Sequence, residues 1–306
     1  MTGVTAAAAR PGAGSGSITQ VRHLYVCPLR WADLDMLGHV NNVIYVDYLQ
    51  EARVDMLRTH SPDPRADALA EGVVVASNRV TYLRPLTLRE SVAVEVWVTE
   101  IRAASFTLAY EVFDTDENGD RIVYLRATSL LTPFVFAEER PRRLTDAERT
   151  VLTRFLEPGE PAQRLSLPPS QLDPSGHWAV PVRFSDVDVY GHVNNVKYFE
   201  YFQEARIVVF DRLFADMKAD HGLNVVVAQM DVEYKRPILF RPEPYDAWSW
   251  ISRVGTSSYD VSAEIRDGDT LLARSRCTLV AFDATTQRAA SPPPEFRQAL
   301  LDNLRT

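Results

Sequence analysis

One 24-residue stretch occurs twice in this chain. The segment RWADLDMLGHVNNVIYVDYLQEAR, starting at Arg30, returns without a gap at Arg183 as RFSDVDVYGHVNNVKYFEYFQEAR, and 15 of the 24 positions are identical. Ordinary residue frequencies would give about one or two matches by chance. The likeness continues: VTYLRP (80–85) returns as VEYKRP (232–237), and a long β-like region follows in each half. A period of about 150 residues is far too long for a solenoid unit, so the pattern is a duplication of a whole domain. Two similar units are expected, at 18–157 and 176–306, with a Pro- and Gly-containing linker over 158–175. Residues 1–17, mostly Ala, Gly and Ser, read as a disordered arm.

Within each unit the order reads strand, turn, long helix, then several strands. The helix is predicted to begin near Asn42 and Asn195. Tyr45, Leu49, Ala52 and Met56 form one stripe at 3.6 residues per turn, matched by Tyr198, Phe202, Ala205 and Val209. Val43, Ile44, Val46 and Tyr48 occupy other faces, so this helix is expected to be largely enclosed. Later segments alternate with period two: Val92, Val94, Val96 and Val98; Phe106, Leu108, Tyr110 and Val112; Tyr259, Val261, Ala263 and Ile265. Asn118-Gly119 and Asp267-Gly268 mark turns between strands. Each unit closes on a short helical signal, a Thr145-to-Glu148 capping box in the first and Pro294-Glu-Phe-Arg in the second. One buried helix with an antiparallel meander makes the fold class α+β.

A net charge of −8 argues against a nucleic-acid binder, which needs a basic face. No apolar run approaches the roughly 20 residues of a membrane span. The first 17 residues lack a basic start and an apolar h-region, so a secretory signal is not expected and a cytoplasmic location is. Cys27 and Cys277 lie far apart in apolar, strand-like runs and read as buried reduced thiols.

Chemistry concentrates where the first strand gives way to the helix. Asp33, Asp35, Gly38, His39, Asn41 and Asn42 crowd there, and Asp186, Asp188, Gly191, His192, Asn194 and Asn195 repeat them. A helix start offers unpaired N–H groups and a partial positive charge, suited to polarising a carbonyl. A nearby carboxylate can act as nucleophile or as general base toward water, and an imidazole can orient it or carry a proton. Asp, Gly and Asn are also ordinary turn and cap residues. Capping alone accounts poorly for the His, the second Asp and the verbatim return of GHVNN.

The pattern D-x-D-x-x-G-H-V-N-N-x-x-Y, running on to Q-E-A-R, resembles the 4-hydroxybenzoyl-CoA thioesterase type of hotdog protein. It is also similar to the DLDxxxHVNN segment of the plant acyl-ACP thioesterases, which are tandem hotdogs. The resemblance covers both halves. It implies a double hotdog in which each sheet wraps its own long helix, the two sheets join as a pseudo-dimer, and active sites lie in the seam. It implies an acyl-CoA thioesterase of fatty-acid metabolism, requiring no metal or other cofactor, with acyl-ACP as the other carrier to consider. The family's catalytic Asp falls on Asp35 and Asp188, and its carbonyl-polarising amide N–H on Asn42 and Asn195. His39 and His192 are expected to position the reacting groups. Asn41, Tyr45, Asn194 and Tyr198 join Asn42 and Asn195 as substrate-binding candidates. The acyl-ACP enzymes carry an Asn two residues after the Asp, where this chain has Leu37 and Tyr190, a departure that favours acyl-CoA.

Weaker candidates remain. Glu51 and Glu204 can support catalysis or pair with Arg53 and Arg206. Asp47 and Glu200 read as surface or interface charges. Arg84, Lys235 and Arg236 can meet coenzyme A phosphates or be ordinary surface cations. His23, His60, His177 and His221 have no repeat partners and no metal-like spacing. No G-x-S-x-G elbow, Walker loop or dinucleotide fingerprint is present. A non-catalytic acyl-CoA-binding hotdog stays open as the alternative. A hotdog hydratase is disfavoured because no Asn-Pro precedes either motif His. Self-association of double-hotdog chains is a further expectation.

Overall fold

The period-two segments are the strands of one sheet, and the apolar stripes are the buried faces of its two long helices. The structure, a computed structural model, describes residues 21–61, 72–159, 164–215, 224–283, 286 and 288–305. The arm expected over 1–17 and His221 lie outside the described residues. The first unit runs β1 (His23–Pro28), α1 (Ile44–Thr59), β2 (Val73–Tyr82), β3 (Ser91–Ile101), β4 (Phe106–Thr115), β5 (Arg121–Val135), the two-residue β6 (Arg140–Pro141) and α2 (Asp146–Thr153). The second runs β7 (His177–Val180), α3 (Lys197–Leu213), β8 (Asn224–Tyr234), β9 (Tyr245–Val254), β10 (Ser258–Asp267), β11 (Thr270–Asp283), β12 (Arg288–Ala289) and α4 (Pro294–Asp302).

The strands join in the order β1-β3-β4-β5-β2-β8-β11-β10-β9-β7, so each half wraps one long helix and the halves meet edge to edge at β2 and β8. This is an α+β double hotdog. Tyr45, Leu49, Ala52 and Met56 are buried, as are Tyr198, Phe202, Ala205 and Val209, and one apolar core runs through both units. The Thr145–Glu148 capping box forms in both directions and starts α2. Within the expected linker, Leu165 is tied to Glu233 and Arg274 rather than hanging free.

The register at the seam has a consequence for assembly. Arg79 pairs with Asp231, and these hold the same place in the two copies, one residue before Val80-Thr-Tyr and Val232-Glu-Tyr. A pseudo-two-fold axis therefore passes through that pair. Asp231 is buried and receives Arg79 Nε at 2.7 Å, Arg276 Nη2 at 2.9 Å and Gln229 Nε2 at 2.9 Å. Two copies of β2 paired in this register would set Arg against Arg, so charge favours first-unit-on-second-unit pairing.

The helices start two residues later than predicted, at Ile44 and Lys197. The Asn41 and Asn194 carbonyls accept the N–H of Ile44 and Lys197, and their side-chain Oδ1 atoms accept from Val43 and Val196. The asparagines thus spend two residues on a turn before the helix proper.

Candidate active site

Each motif loop is built on its second aspartate. Asp35 Oδ1 accepts the N–H of Leu37 at 2.8 Å and of His39 at 3.2 Å, while the Asp35 N–H donates to the His39 carbonyl. Asp188 repeats this with Tyr190 at 2.9 Å and His192 at 3.4 Å. The turn requires Gly38 and Gly191 at φ +75° and +78°. A Cβ there would meet open space, so backbone conformation and not crowding selects glycine. The other carboxylate oxygen, Oδ2, of Asp35 and of Asp188 accepts no hydrogen bond from a described residue. The same holds for the ring nitrogens of His39 and His192.

The first aspartate of each motif does something else. Asp33 Oδ2 accepts from the Arg30 N–H and the Tyr48 hydroxyl at 2.8 and 2.7 Å, and Asp186 does the same with Arg183 and Tyr201. These carboxylates clamp the loop onto the long helix. Burial and the facing carboxylate together push the Tyr48 and Tyr201 hydroxyls far above the ordinary tyrosine range, so they remain protonated donors.

The N–H groups of Asn42 and Asn195 have no partner among the described residues, and the side-chain Nδ2 of both is buried without an acceptor. Donors for a ligand oxygen are thus present at both helix starts. The Tyr45 and Tyr198 hydroxyls take the backbone N–H of Leu86 and Ile238. Tyr198 lines the site. Glu51 and Glu204 are both exposed and outside the lining of the cavity at the second motif, and the pairing expected with Arg53 and Arg206 does not form among the described residues. Arg53 Nη2 reaches Asn195 Oδ1 at 3.4 Å, and Arg206 Nη1 lies 3.1 Å from Cys277 Sγ.

A cavity of about 540 Å³ opens at the second motif. Asp188, His192, Asn194, Asn195 and Tyr198 form one wall, with Tyr190 and 234–237 beside them. The opposite wall belongs to the first unit: Gln50, Arg53, Val54 and Leu57 of α1, Val73–Val75 of β2, and Phe134, Phe136 and Glu139 beyond. The site is therefore shared between units. On its first-unit side the aliphatic and aromatic carbon of Val54, Leu57, Val73–Val75, Phe134 and Phe136 lies beside Gln50, Arg53 and Glu139, and the polar groups of the second motif lie at the start of α3. Tyr190 stacks on Phe136 with ring centroids 3.9 Å apart and planes within 7°. At the mouth, Arg236 is exposed and forms no ion pair with a described residue, whereas Lys235 is held by Glu233 at 2.6 Å.

Behind the start of α3 a chain of hydrogen bonds crosses the seam. The Ser129 hydroxyl donates to Asn78 Oδ1 at 2.6 Å, Asn78 Nδ2 donates to the Tyr234 hydroxyl at 3.0 Å, and that hydroxyl donates to the Asn195 carbonyl at 2.9 Å. At the first motif Tyr82 likewise donates to the Asn42 carbonyl at 2.8 Å. Strand pairing places Met230 and Cys277 where the other site has Asn78 and Ser129, so the chain stops there. Sequence reasoning missed Arg53, Gln50, Asn78 and Tyr234. The Gln and Arg of the repeated Q-E-A-R were the available signal.

Comparison with known proteins bears on the family and the fold. The model of the thioesterase-like superfamily matches residues 29–155 and again 182–300. The Escherichia coli long-chain acyl-CoA thioesterase FadM is 31% identical over 129 residues, 40% of this chain and 93% of FadM. The Bacillus subtilis protein YsmA is 39% identical over 82 residues, 26% of this chain, which spans about half (52%) of YsmA. The 12:0-ACP thioesterase from Umbellularia californica shares the fold at 16% identity, with a TM-score of 0.66 over 85% of this chain and 94% of its own. With a family match in each half, the chain belongs to the thioesterase-like superfamily.

Proposed function

We propose that this chain hydrolyses acyl-CoA thioesters to free acid and coenzyme A, with its chemistry at Asp188 and, in the other copy, Asp35. The single observation that carries the reading is a carboxylate oxygen left free beside an amide-rich helix start, in the wall of a cavity lined opposite by aliphatic and aromatic carbon. The thioester carbonyl would lie at the unpaired N–H of Asn195, where the helix dipole stabilises developing negative charge. Asp188 acts as base toward a water, or attacks the carbonyl itself. In the first case the water oxygen bonds to the carbonyl carbon and its proton passes to the carboxylate. The C–S bond then breaks, and the sulfur leaves as coenzyme A after taking up that proton. His192, with both ring nitrogens free of described partners, is placed to orient the water or relay the proton. None of these steps is routed through a metal.

The acyl tail has Val54, Leu57, Val73–Val75 and Phe134 to lie against, and FadM acts on long-chain acyl-CoA. Arg236 suits a phosphate at the mouth. Two buried free cysteines fit a reducing compartment, the cytoplasm. No described helix is long and apolar enough to cross a membrane.

The test is free-thiol release from a panel of acyl-CoAs, with acyl-ACP as competing carrier, for the wild type, Asp35→Asn, Asp188→Asn and the double variant. Turnover by the wild type and its loss in the double variant are expected. Undiminished turnover in the double variant would remove both aspartates from the mechanism. No turnover of any thioester by the wild type would leave an acyl-CoA-binding module.

A further inference from the structure

Arg53 and Arg206 hold the same place in the two copies of Q-E-A-R and are buried alike, at 6% and 7% exposure, but they hold different things. Arg206 points a guanidinium nitrogen at Cys277 Sγ, within its own unit. Arg53 crosses the seam to Asn195 Oδ1, in the wall of the cavity that contains Asp188. Neither forms an ion pair with a described residue, and a guanidinium taken out of water without a counter-charge is costly unless it serves a polar partner.

That contact decides what Asn195 presents to a ligand. A side-chain amide has one acceptor end and one donor end. With Oδ1 drawn to a cation, the NH₂ group becomes the end left over, and Nδ2 of Asn195 is indeed buried with no acceptor. A nearby positive charge also polarises the amide, strengthening its N–H groups as donors. The backbone of the same residue is fixed by the Ser129–Asn78–Tyr234 chain. Asn195 is therefore gripped at its side chain and at its carbonyl, with two free donors, the backbone N–H and the side-chain NH₂, beside a carboxylate. At the first motif Asn42 has the same idle Nδ2, but Arg206 is turned to Cys277, and Met230 ends the supporting chain.

We propose that Arg53, acting through Asn195, is the positioning residue of the Asp188 centre, contributed across the seam by the other unit, and that it makes this centre the faster of the two. This assignment rests on the thioesterase reading above. The arginine touches no reacting atom. It fixes the side chain of Asn195, the residue whose N–H receives the oxyanion, an interaction that strengthens as charge develops, so its loss falls on kcat more than on KM.

Arg53→Met and Arg206→Met are compared with the wild type on the best acyl-CoA of the panel, with thermal melts alongside. Because both arginines are buried alike, Arg206→Met reports the purely structural cost of the change. Arg53→Met is expected to lower kcat about 30- to 100-fold with KM within about threefold, in keeping with loss of one preorganised donor. Arg53→Lys, which keeps the charge, is expected to regain at least a third of that loss on a logarithmic scale. Arg206→Met is expected to melt lower while keeping kcat within about threefold. An Arg53→Met enzyme within threefold of wild-type kcat, or an equal fall in both variants, overturns the assignment. The Asp35→Asn, Asp188→Asn double variant separates the two claims. If it is inactive while Arg53→Met is unaffected, only the role of Arg53 falls; if it is fully active, the thioesterase mechanism falls with it.

Discussion

The Asp35 and Asp188 loops make the same hydrogen bonds, take the same positive φ at glycine and leave the same side-chain amide idle, yet different material surrounds them. Around Asp188, Asn78, Ser129 and Arg53 bring polar groups to the start of α3, and Tyr190 is stacked on Phe136. Around Asp35 the corresponding residues are Met230, Cys277, an arginine directed at that cysteine instead of at the asparagine amide, and Leu37 at 76% exposure. Phe210 replaces Leu57 and packs on Tyr259 and Phe214, the latter stacked on Phe296 of α4. Duplication has kept the loop twice and let its support drift. Chemistry depends on the support as much as on the loop, because a donor counts in proportion to how firmly it is held.

The comparison breaks most directly at the aspartates. Asp188→Asn is expected to lower kcat about 100- to 1,000-fold, the range for removing a positioned base or nucleophile. Asp35→Asn is expected to leave kcat within about 10% of wild type, because centres whose rates add leave the slower one no more than about 1% of the turnover. Steady-state thiol release measures both, and equal losses would mean that the two centres share the work.

A smaller effect tests the support alone. Asn78→Met with Ser129→Cys gives the second centre the residues of the first. Two neutral hydrogen bonds behind Asn195 are lost, each worth about 0.5–1.5 kcal/mol net. An approximately 5- to 20-fold fall in kcat is expected, without loss of cooperative unfolding. Smaller again is Tyr190→Leu, which removes the stack on Phe136. At about 0.5–1.5 kcal/mol for an aromatic pair, KM should rise about two- to tenfold with kcat little changed. A fall in kcat without a change in KM would place Tyr190 in the chemistry instead.

How much of this was legible in the sequence follows from what repetition can and cannot carry. The helix stripes and alternating strands were readable because burial imposes a period, and the duplication made each motif visible against its copy. The seam was implied only through resemblance. Asp33 and Asp35 look alike in sequence. What separates them is a hydroxyl fifteen residues on, Tyr48, that one reaches and the other does not. Glu51 is a candidate in the sequence while Gln50, beside it, lines the cavity; one step along a helix turns a side chain by about 100°. In the sequence Arg53 stands out only as one possible partner for Glu51. Its true contact, Asn195, is 142 residues away, and no local pattern encodes it.

The smallest expected effect comes from a charge at the seam. Ile44 and Lys197 occupy the same place in the two copies, one turn ahead of Asp47 and Glu200. Lys197 pairs with Glu200 at 2.6 Å, whereas Asp47 has an isoleucine there, so no ammonium of its own helix compensates its burial. Desolvation pushes the Asp47 carboxyl up to about 6, with Lys197 from α3 pulling the other way and losing. The sign follows from linkage: the folded state holds this proton more tightly than the unfolded chain, whose carboxyl titrates near the ordinary value of about 3.9. Stability from this site is therefore full below about pH 4 and is lost as pH rises through about 6. Asp47→Asn removes the buried charge, so at pH 7 the variant should be the more stable by about 0.5–1 kcal/mol, a figure kept low because solvent reaches part of the carboxyl. Urea midpoints at pH 4, 6 and 7.5 measure the gain, which should shrink toward zero at the lowest pH. Glu200→Gln, losing a formed ion pair, should move the midpoint the opposite way at pH 7.5. If both substitutions shift it in one direction, the two sides of the seam are electrostatically alike, and the drift between the copies is confined to the cavity.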